Sequence, residues 1–549
     1  MKKIISLFLV LQLLAACGVK KSLQYIPDLS QYDTILHDSL KTQNGLRTLG
    51  ESSVYKNEFG LHELISKGNP YQIGQAQSLL LDTFKQQQEK YFFDRIQEFV
   101  PDEKKLKTML GFLRFYNRNL ISYITPEYQA ELYGGAVNMS PKYDFMAKSF
   151  IRSAYMHAAH DIGHAMQDLM LVGCSSFALW GNQSADGKLL IGRNLDFYLS
   201  DDFAKEKVIY FVQPEKGYNY MSISWPGFTG ICSGMNDQGL TATINAGRSK
   251  IPFSAKTPIS LLVREIVQYA PTIEEAIAIA KSRKVFVSES ILVGSAKDKR
   301  AVIIEVSPKK FGVYEVKEGQ PLICTNHFQS DAYKKDKRNK KQISGSHSQY
   351  RYERLQQLLN IQAVSPEKAV GILRTTTGLN NEDIGCGNEK SLNQLISHHG
   401  IIFQPEDLKV WVSANPYQLG TFVCYDLKTV FASPRKDTIA LFCDTIQRSD
   451  FLATKAYKDY ELFKQKVKEI DGAIKQQQPL SGFNPETDLI PLNPHLWFAH
   501  YKAGKYFYTF GNYEKAKNCF EKALSMEISS VGEREMVKDY LKKSRKKLK

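Results

Sequence analysis

The side chains in this sequence with the means for covalent chemistry gather around one cysteine. Gly173-Cys174-Ser175-Ser176-Phe177 is followed by Gly192-Arg193-Asn194-Leu195-Asp196-Phe197. A thiol beside a guanidinium loses its proton more readily and becomes a nucleophile. A nearby carboxylate can orient or exchange protons with its partners. An isolated Gly-Cys reads as a buried structural thiol. The intervening residues change that reading, because they predict a hairpin turning at Asp186-Gly187 that returns Arg193 and Asp196 to Cys174. Strict alternation puts residues three apart on opposite faces of a strand. A bend or bulge is therefore required if both are to reach the thiol.

Other patterns are weaker. His160 and His164 have the i, i+4 spacing of zinc helices, with His157 just upstream, but the Glu of His-Glu-x-x-His is missing. They read as polar helix positions, and neither a metal nor a cofactor is expected. Gly-x-Ser-x-Gly and a Gly-rich phosphate loop are absent. Lys334–Arg338 reads as an exposed loop, and His398-His399 as a turn before a strand.

The elements that must position these groups change character at Cys174. Residues 18–173 read as mainly helical, with helical apolar spacing over Gln75–Gln97, Glu103–Leu120 and Ser149–Leu171, the first two separated by Pro101. From Cys174 short apolar runs alternate with turn residues. They are Ser175–Trp180, Leu189–Asn194, Val208–Gln213, Met221–Trp225, Leu240–Asn245, Ser290–Gly294, Ala301–Val306, Phe311–Val316 and Leu322–Thr325. Two helices interrupt them, near Pro258–Tyr269 and Thr272–Lys284, the second opening on the capping box Thr272-x-x-Glu275. Strands return at Gly400–Gln404, Lys409–Ser413 and Phe422–Tyr425. Residues 446–493 read as a helix and linker. Residues 494–549 hold one copy of a tetratricopeptide-like pattern, with Gly504, Phe507, Ala516, Phe520 and Ala523 at its packing positions.

At 549 residues the chain is expected to form roughly two to four folding units. With 43% hydrophobic and 23% charged residues, disorder is excluded as its main state. The net charge of +15 favours anionic neighbours, but no nucleic-acid motif accompanies it. Residues 1–16 read as a signal peptide: Lys2 and Lys3, an apolar run from Ile4 to Leu14, then Ala15-Ala16 before Cys17. Leu-Ala-Ala-Cys resembles the bacterial lipobox, which implies lipidation of Cys17 and a membrane-anchored lipoprotein of the cell envelope, facing the periplasm. Eight cysteines (17, 174, 232, 324, 386, 424, 443 and 519) are scattered without a Cys-x-x-Cys. Export permits disulfides, but spacing does not pair them.

Cys174, a hairpin and then Gly-Arg-Asn-Leu-Asp resemble the cysteine N-terminal-nucleophile hydrolases. That group holds choloylglycine hydrolase, penicillin V acylase, acid ceramidase and, most similar, the isopenicillin N acyltransferase-like family. Further matches follow in order: Thr243-Ile244-Asn245-Ala246-Gly247, Cys324-Thr325-Asn326-His327-Phe328, the run Ser348–Leu355, then Lys409–Ser413 and Asn415-Pro416. The resemblance spans about 174–426. It implies an α+β fold, a four-layer αββα sandwich over residues 174–445. It also implies self-cleavage between Gly173 and Cys174, which frees an α-amine to act as base for the thiol. Asp196 would orient that amine and Arg193 would polarise the thiol. Asn326 and Asn245 would donate to the oxyanion. Arg351 would organise the site, with Arg354 the alternative. Residues 17–173 would be a propeptide or a retained subunit.

The expected activity is hydrolysis of a linear amide of an N-acyl small molecule through a cysteine thioester. One alternative is acyl transfer to an amine. Another is a non-catalytic binding module whose repeat-like C-terminus recruits a protein partner or docks within the chain.

Overall fold

The computed structural model describes residues 18–165, 173–197, 200–249, 254–317, 319–361, 363–432 and 443–549. The leader and Cys17 lie outside the described residues, as do the side chains of His160 and His164. Among the described residues no helix is long and apolar enough to cross a membrane.

The chain first lays down β1 (Lys41–Gln43), β2 (Leu46–Leu49), β3 (Ser52–Lys56) and β4 (His62–Gly68) as an antiparallel ribbon. Helices follow at Pro70–Leu80, Asp82–Phe99, Glu103–Tyr116, Pro126–Gly135 and Ser149–Ala165. Next come the hairpin β5 (Ser175–Leu179) and β6 (Leu190–Leu195), then β7 (Val208–Pro214), β8 (Tyr220–Ser224), β9 (Ser233–Asn236) and β10 (Leu240–Ala246). Helices Ile259–Tyr269 and Ile273–Ser282 lead to β11 (Glu289–Ser295), β12 (Arg300–Val306), β13 (Phe311–Tyr314) and β14 (Leu322–Cys324). Helices Lys337–Gly345, Ser348–Leu358 and Pro366–Leu373 precede β15 (His399–Gln404), β16 (Lys409–Ser413) and β17 (Phe422–Asp426).

These strands form two sheets. The larger has eleven strands in the order β1-β2-β3-β4-β7-β8-β9-β10-β11-β12-β13, and the smaller has six in the order β14-β5-β6-β15-β16-β17. Alternation along each strand feeds two cores at once. Ala178 and Ile191 of the small sheet meet Phe211, Ile223 and Ile303 of the large one. Their neighbours Phe177 and Leu190 face Leu355, Val370 and Leu373 on the helices outside the small sheet. The opposite face of the large sheet, with Val212, Ile244 and Val293, packs on Leu262, Ile266 and Ala154. The result is helix, sheet, sheet, helix: the αββα sandwich expected from the resemblance. Because both faces of each sheet are covered, many strands read as continuous apolar runs.

Residues 18–165 are mainly helical, as expected, but they open on strands the sequence did not announce. β1–β4 extend the large sheet, and β4 pairs in parallel with β7 from His62↔Val208 to Gly68↔Pro214. β1 is short and fully exposed, with no apolar alternation to mark it. The Lys334–Arg338 run is not a loop throughout. Asp336 caps a helix over Lys337–Gly345 by accepting from the backbone N–H groups of Arg338 and Asn339. His398 and His399 do not mark an exposed turn either: both are buried, and His399 opens β15 opposite Leu195.

At the C-terminus the long helix Lys455–Gln476 is followed by Trp497–Thr509 and Tyr513–Leu524, which pack as a pair, and by Val531–Lys547. Gly504 sits where an added Cβ would lie 2.7 Å from the Phe520 ring, so close helix packing requires a glycine there. The unit shares its core with Leu395 and Leu419 of the sandwich. Cys424 and Cys443 form a disulfide with a Cα separation of 5.1 Å.

Candidate active site

Cys174 immediately precedes β5, fully buried. The hairpin register pairs Ser176 with Arg193 and Ser175 with Asn194. Arg193 therefore points between the sheets. Its guanidinium lies 3.8 Å from Cys174 Sγ and donates to Ser233 Oγ and to the Ile244 carbonyl across the inter-sheet gap. β6 ends at Leu195, so Asp196 lies past the regular ladder and escapes its alternation. That is how residues three apart come to lie near one thiol. The Asp196 carbonyl accepts from the Gly173 N–H at 3.0 Å. Its carboxylate accepts from Ser397 Oγ, and from Gln394 Nε2 at 3.2 Å.

Arg351 enters from the helix Ser348–Leu358. It donates to the Cys174 carbonyl, to Ser175 Oγ at 2.7 Å and to Asn326 Oδ1 at 2.6 Å. Arg354, one turn on, instead donates to Thr377 Oγ1 at 2.9 Å and Asn381 Oδ1 at 2.6 Å. Between the two arginines considered, Arg351 is the one in contact with the Cys174 backbone. Asn326 Nδ2 donates to the Ala246 carbonyl and Asn245 Nδ2 to the Cys324 carbonyl, each at 3.0 Å. Asn245 also accepts from Ser176 Oγ at 3.0 Å, tying the two sheets together beside the thiol. An amide nitrogen carries two protons, so these backbone contacts occupy one donor of each asparagine.

The electrostatics follow from burial. Desolvation pushes the Cys174 thiol up to about 11, against the pull of Arg193. Desolvation likewise pushes Asp196 up to about 7, opposed by the Ser397 hydrogen bond and by Arg351 and Arg193. His398 and His399 are held neutral by burial. Ser233 Oγ, which accepts from Arg193, is also hydrogen-bonded to His399 Nε2 at 2.9 Å. The chain Arg193–Ser233–His399–His398 thus braces the arginine from behind, with 2.8 Å between the two Nδ1 atoms.

Sequence reasoning missed Gln394 and Ser397. They sit on an irregular polar stretch with no motif, and no periodicity singles them out. The C-terminal unit holds this stretch. Asn388 Nδ2 donates to the Glu527 carbonyl at 2.9 Å, and Asn493 exchanges hydrogen bonds with the Cys386 backbone at 2.8 and 3.1 Å.

A small apolar cavity opens beside Phe197, the residue after Asp196. Phe92 and Met156 line it from the N-terminal segment, and Phe203, Trp225 and Phe228 from the sandwich.

Two facing sheets between helical layers define the class: an N-terminal-nucleophile hydrolase fold. More narrowly, residues 182–415 match the model of the family described as acyl-coenzyme A:6-aminopenicillanic acid acyl-transferase. Arg193, Asp196, Asn245, Asn326, Arg351 and Gln394 fall within the matched segment, and Cys174 precedes it. An uncharacterized protein of Archaeoglobus fulgidus is 25% identical over 268 residues, 45% of this chain and 44% of that protein, so the chain spans under half the length of that relative. Among solved structures, the N-acylethanolamine-hydrolyzing acid amidase ortholog of Caenorhabditis elegans is 18% identical, with 42% of this chain and 93% of that one covered and a TM-score of 0.30. A mutant conjugated bile acid hydrolase of Clostridium perfringens is 13% identical, with coverage of 47% and 93% and a TM-score of 0.32.

Proposed function

We propose that this protein is an exported, lipid-anchored cysteine amidohydrolase. It would mature by cutting its own Gly173–Cys174 bond and then cleave the linear amide of an N-acyl compound through a thioester on Cys174. The observation that carries this reading is the buried Cys174 thiol 3.8 Å from the Arg193 guanidinium, with Asp196 at the end of the same hairpin. The match of residues 182–415 to that family's model supports amide or acyl-transfer chemistry. In the uncut chain the thiol, at about 11, is protonated at neutral pH and a poor nucleophile. Freeing its α-amine, which titrates near ~8, supplies a base within the same residue, so the cut itself switches on the site. Asp196 orients that amine, while Arg351, itself bonded to Asn326, holds the backbone that carries it.

The aromatic cavity beside Phe197 suits an apolar acyl group. Residues 18–165 supply part of its lining and the β4–β7 pairing, so they would remain as a bound subunit after the cut. The repeat-like helices are read as intramolecular support for the Asn388–Ser397 stretch. The Lys2-Lys3 leader ending in Leu14-Ala15-Ala16-Cys17 supports export and lipidation of Cys17, and the Cys424–Cys443 disulfide fits an oxidising compartment. A second reading, transfer of the acyl group to an amine, is favoured by the family's acyl-transferase description.

The test is release of acid and amine from fatty-acyl amides of a fluorogenic amine, using wild type and Cys174→Ala. Hydrolysis by wild type alone supports the proposal. Product formed only with added amine moves it to acyl transfer. Equal inactivity of both proteins, together with an unreactive Cys174 thiol, leaves the binding module.

A further inference from the structure

The Gly173 carbonyl, the one that the proposed cut must attack, is held by a side chain that the mechanism above does not use. Gln394 Nε2 lies 2.9 Å from Gly173 O and 3.2 Å from Asp196 Oδ2. Two acceptor oxygens around one atom assign it as the amide nitrogen, whose two protons serve both at once. Gln394 is 1% exposed, so water does not compete for these bonds. A second observation points the same way. A Cβ built on Gly173 would lie 2.7 Å from Gln394 Nε2 and 2.8 Å from its Oε1. The glutamine head therefore fills the space that a side chain at position 173 would occupy. The Gly173 N–H is tied to the Asp196 carbonyl at 3.0 Å, so the residue is held at both its nitrogen and its oxygen.

We propose that Gln394 is the oxyanion donor for self-cleavage, a catalytic residue of maturation. This rests on the reading that Gly173–Cys174 is cut. Cys174 Sγ bonds the Gly173 carbonyl carbon while its proton passes to the Asp196 carboxylate, and the carbonyl electron pair moves onto oxygen. Gln394 Nε2–H holds that oxyanion. Collapse breaks the C–N bond, and the nitrogen takes the proton back from Asp196. This leaves a thioester on Sγ and a free α-amine on Cys174. Water then adds to the thioester carbon, the C–S bond breaks, Gly173 leaves as a carboxylic acid and Sγ regains a proton. Asp196, pushed up to about 7, exchanges protons near neutrality as this sequence requires. The C-terminal unit grips the same stretch of chain at Asn388 and Cys386, holding the donor in place before the cut.

The experiment follows appearance of the fragment beginning at Cys174 in the purified full chain, by intact mass and N-terminal sequencing. It compares wild type, Gln394→Leu and Gln394→Glu at pH 5 and pH 8. Loss of a single oxyanion donor should slow the cut by about 10²–10³-fold in the leucine variant. The glutamate variant keeps the shape and can donate only when protonated, so its rate relative to wild type should be at least ~10-fold higher at pH 5 than at pH 8. That ratio decides the matter if the leucine variant melts early. Wild-type cutting with an unchanged rate in Gln394→Leu, or a pH-independent ratio in Gln394→Glu, overturns the role of Gln394 alone. A wild-type chain that never yields the fragment overturns the parent reading and this one together.

Discussion

Two sets of buried charge lie in this molecule, and they are built on opposite principles. At the seam between the N-terminal segment and the sandwich, Arg264 donates to both carboxylate oxygens of Glu131 at 2.9 and 3.1 Å, to the Thr229 carbonyl and to Gln268. Its guanidinium also lies 4.5 Å from the Tyr220 ring centroid. Burial draws the Arg264 proton affinity down, but Glu131 together with the Tyr220 and Tyr128 hydroxyls outweighs it and the net shift is upward. Burial raises the Glu131 carboxyl as well, against the pull of Arg264, and what differs around Cys174 is the partner of the acid. Hydrogen bonds to the Asp196 carboxylate come from the neutral groups Ser397 and Gln394, and burial wins, leaving the acid at about 7. Fully matched charge makes a joint between segments. Incompletely compensated charge makes groups that exchange protons near neutral pH, which is what catalysis requires.

The comparison is broken most severely at the thiol. Cys174→Ala should abolish both the cut and acyl release, with no fragment visible by intact mass. Next comes the joint. Arg264→Ala strands Glu131 without its partner and should cost about 3–5 kcal/mol, read as a lower urea midpoint and as separation of the two pieces on gel filtration after cutting. Arg351→Ala should lower amide hydrolysis about 100-fold, as loss of a positioned donor does, whereas Arg354→Ala, whose contacts lie elsewhere, should change it less than about threefold.

The smallest effect is on stability against pH. The Asp196 carboxyl is held near 7 in the folded chain, well above its unfolded value of 3.8. The native state therefore binds the extra proton between those values, and stability falls as pH rises through that window. Asp196→Asn removes this loss. It should leave stability near wild type at pH 4 and raise it at pH 8, in thermal melts of an uncut Cys174→Ala background.

Local features were legible. The β5–β6 hairpin needs only an apolar run, Asp186-Gly187 and a second run, so its two strands follow from adjacent residues. Thr272 caps the next helix through the Glu275 N–H as its spacing predicts. Non-local features were not. β4 joins the large sheet in parallel beside β7, across more than 140 residues, and a polar edge ribbon carries no pattern that announces it. His398-His399 reads as polar in sequence, yet becomes buried because Ser233 of the facing sheet accepts the pair into its hydrogen-bond chain.

By itself the sequence determined which side chains could act and which hairpin would bring Cys174, Arg193 and Asp196 together, because turn chemistry and strand periodicity work over neighbouring residues. Only the tertiary structure showed which of Arg351 and Arg354, one helical turn apart with the same charge, contacts the Cys174 carbonyl. It alone brought Gln394 to the Gly173 carbonyl across 221 residues, through a stretch with no regular structure, held by helices that follow it in the chain. Contacts of that kind are set by packing, and packing leaves no periodic trace in the order of the residues.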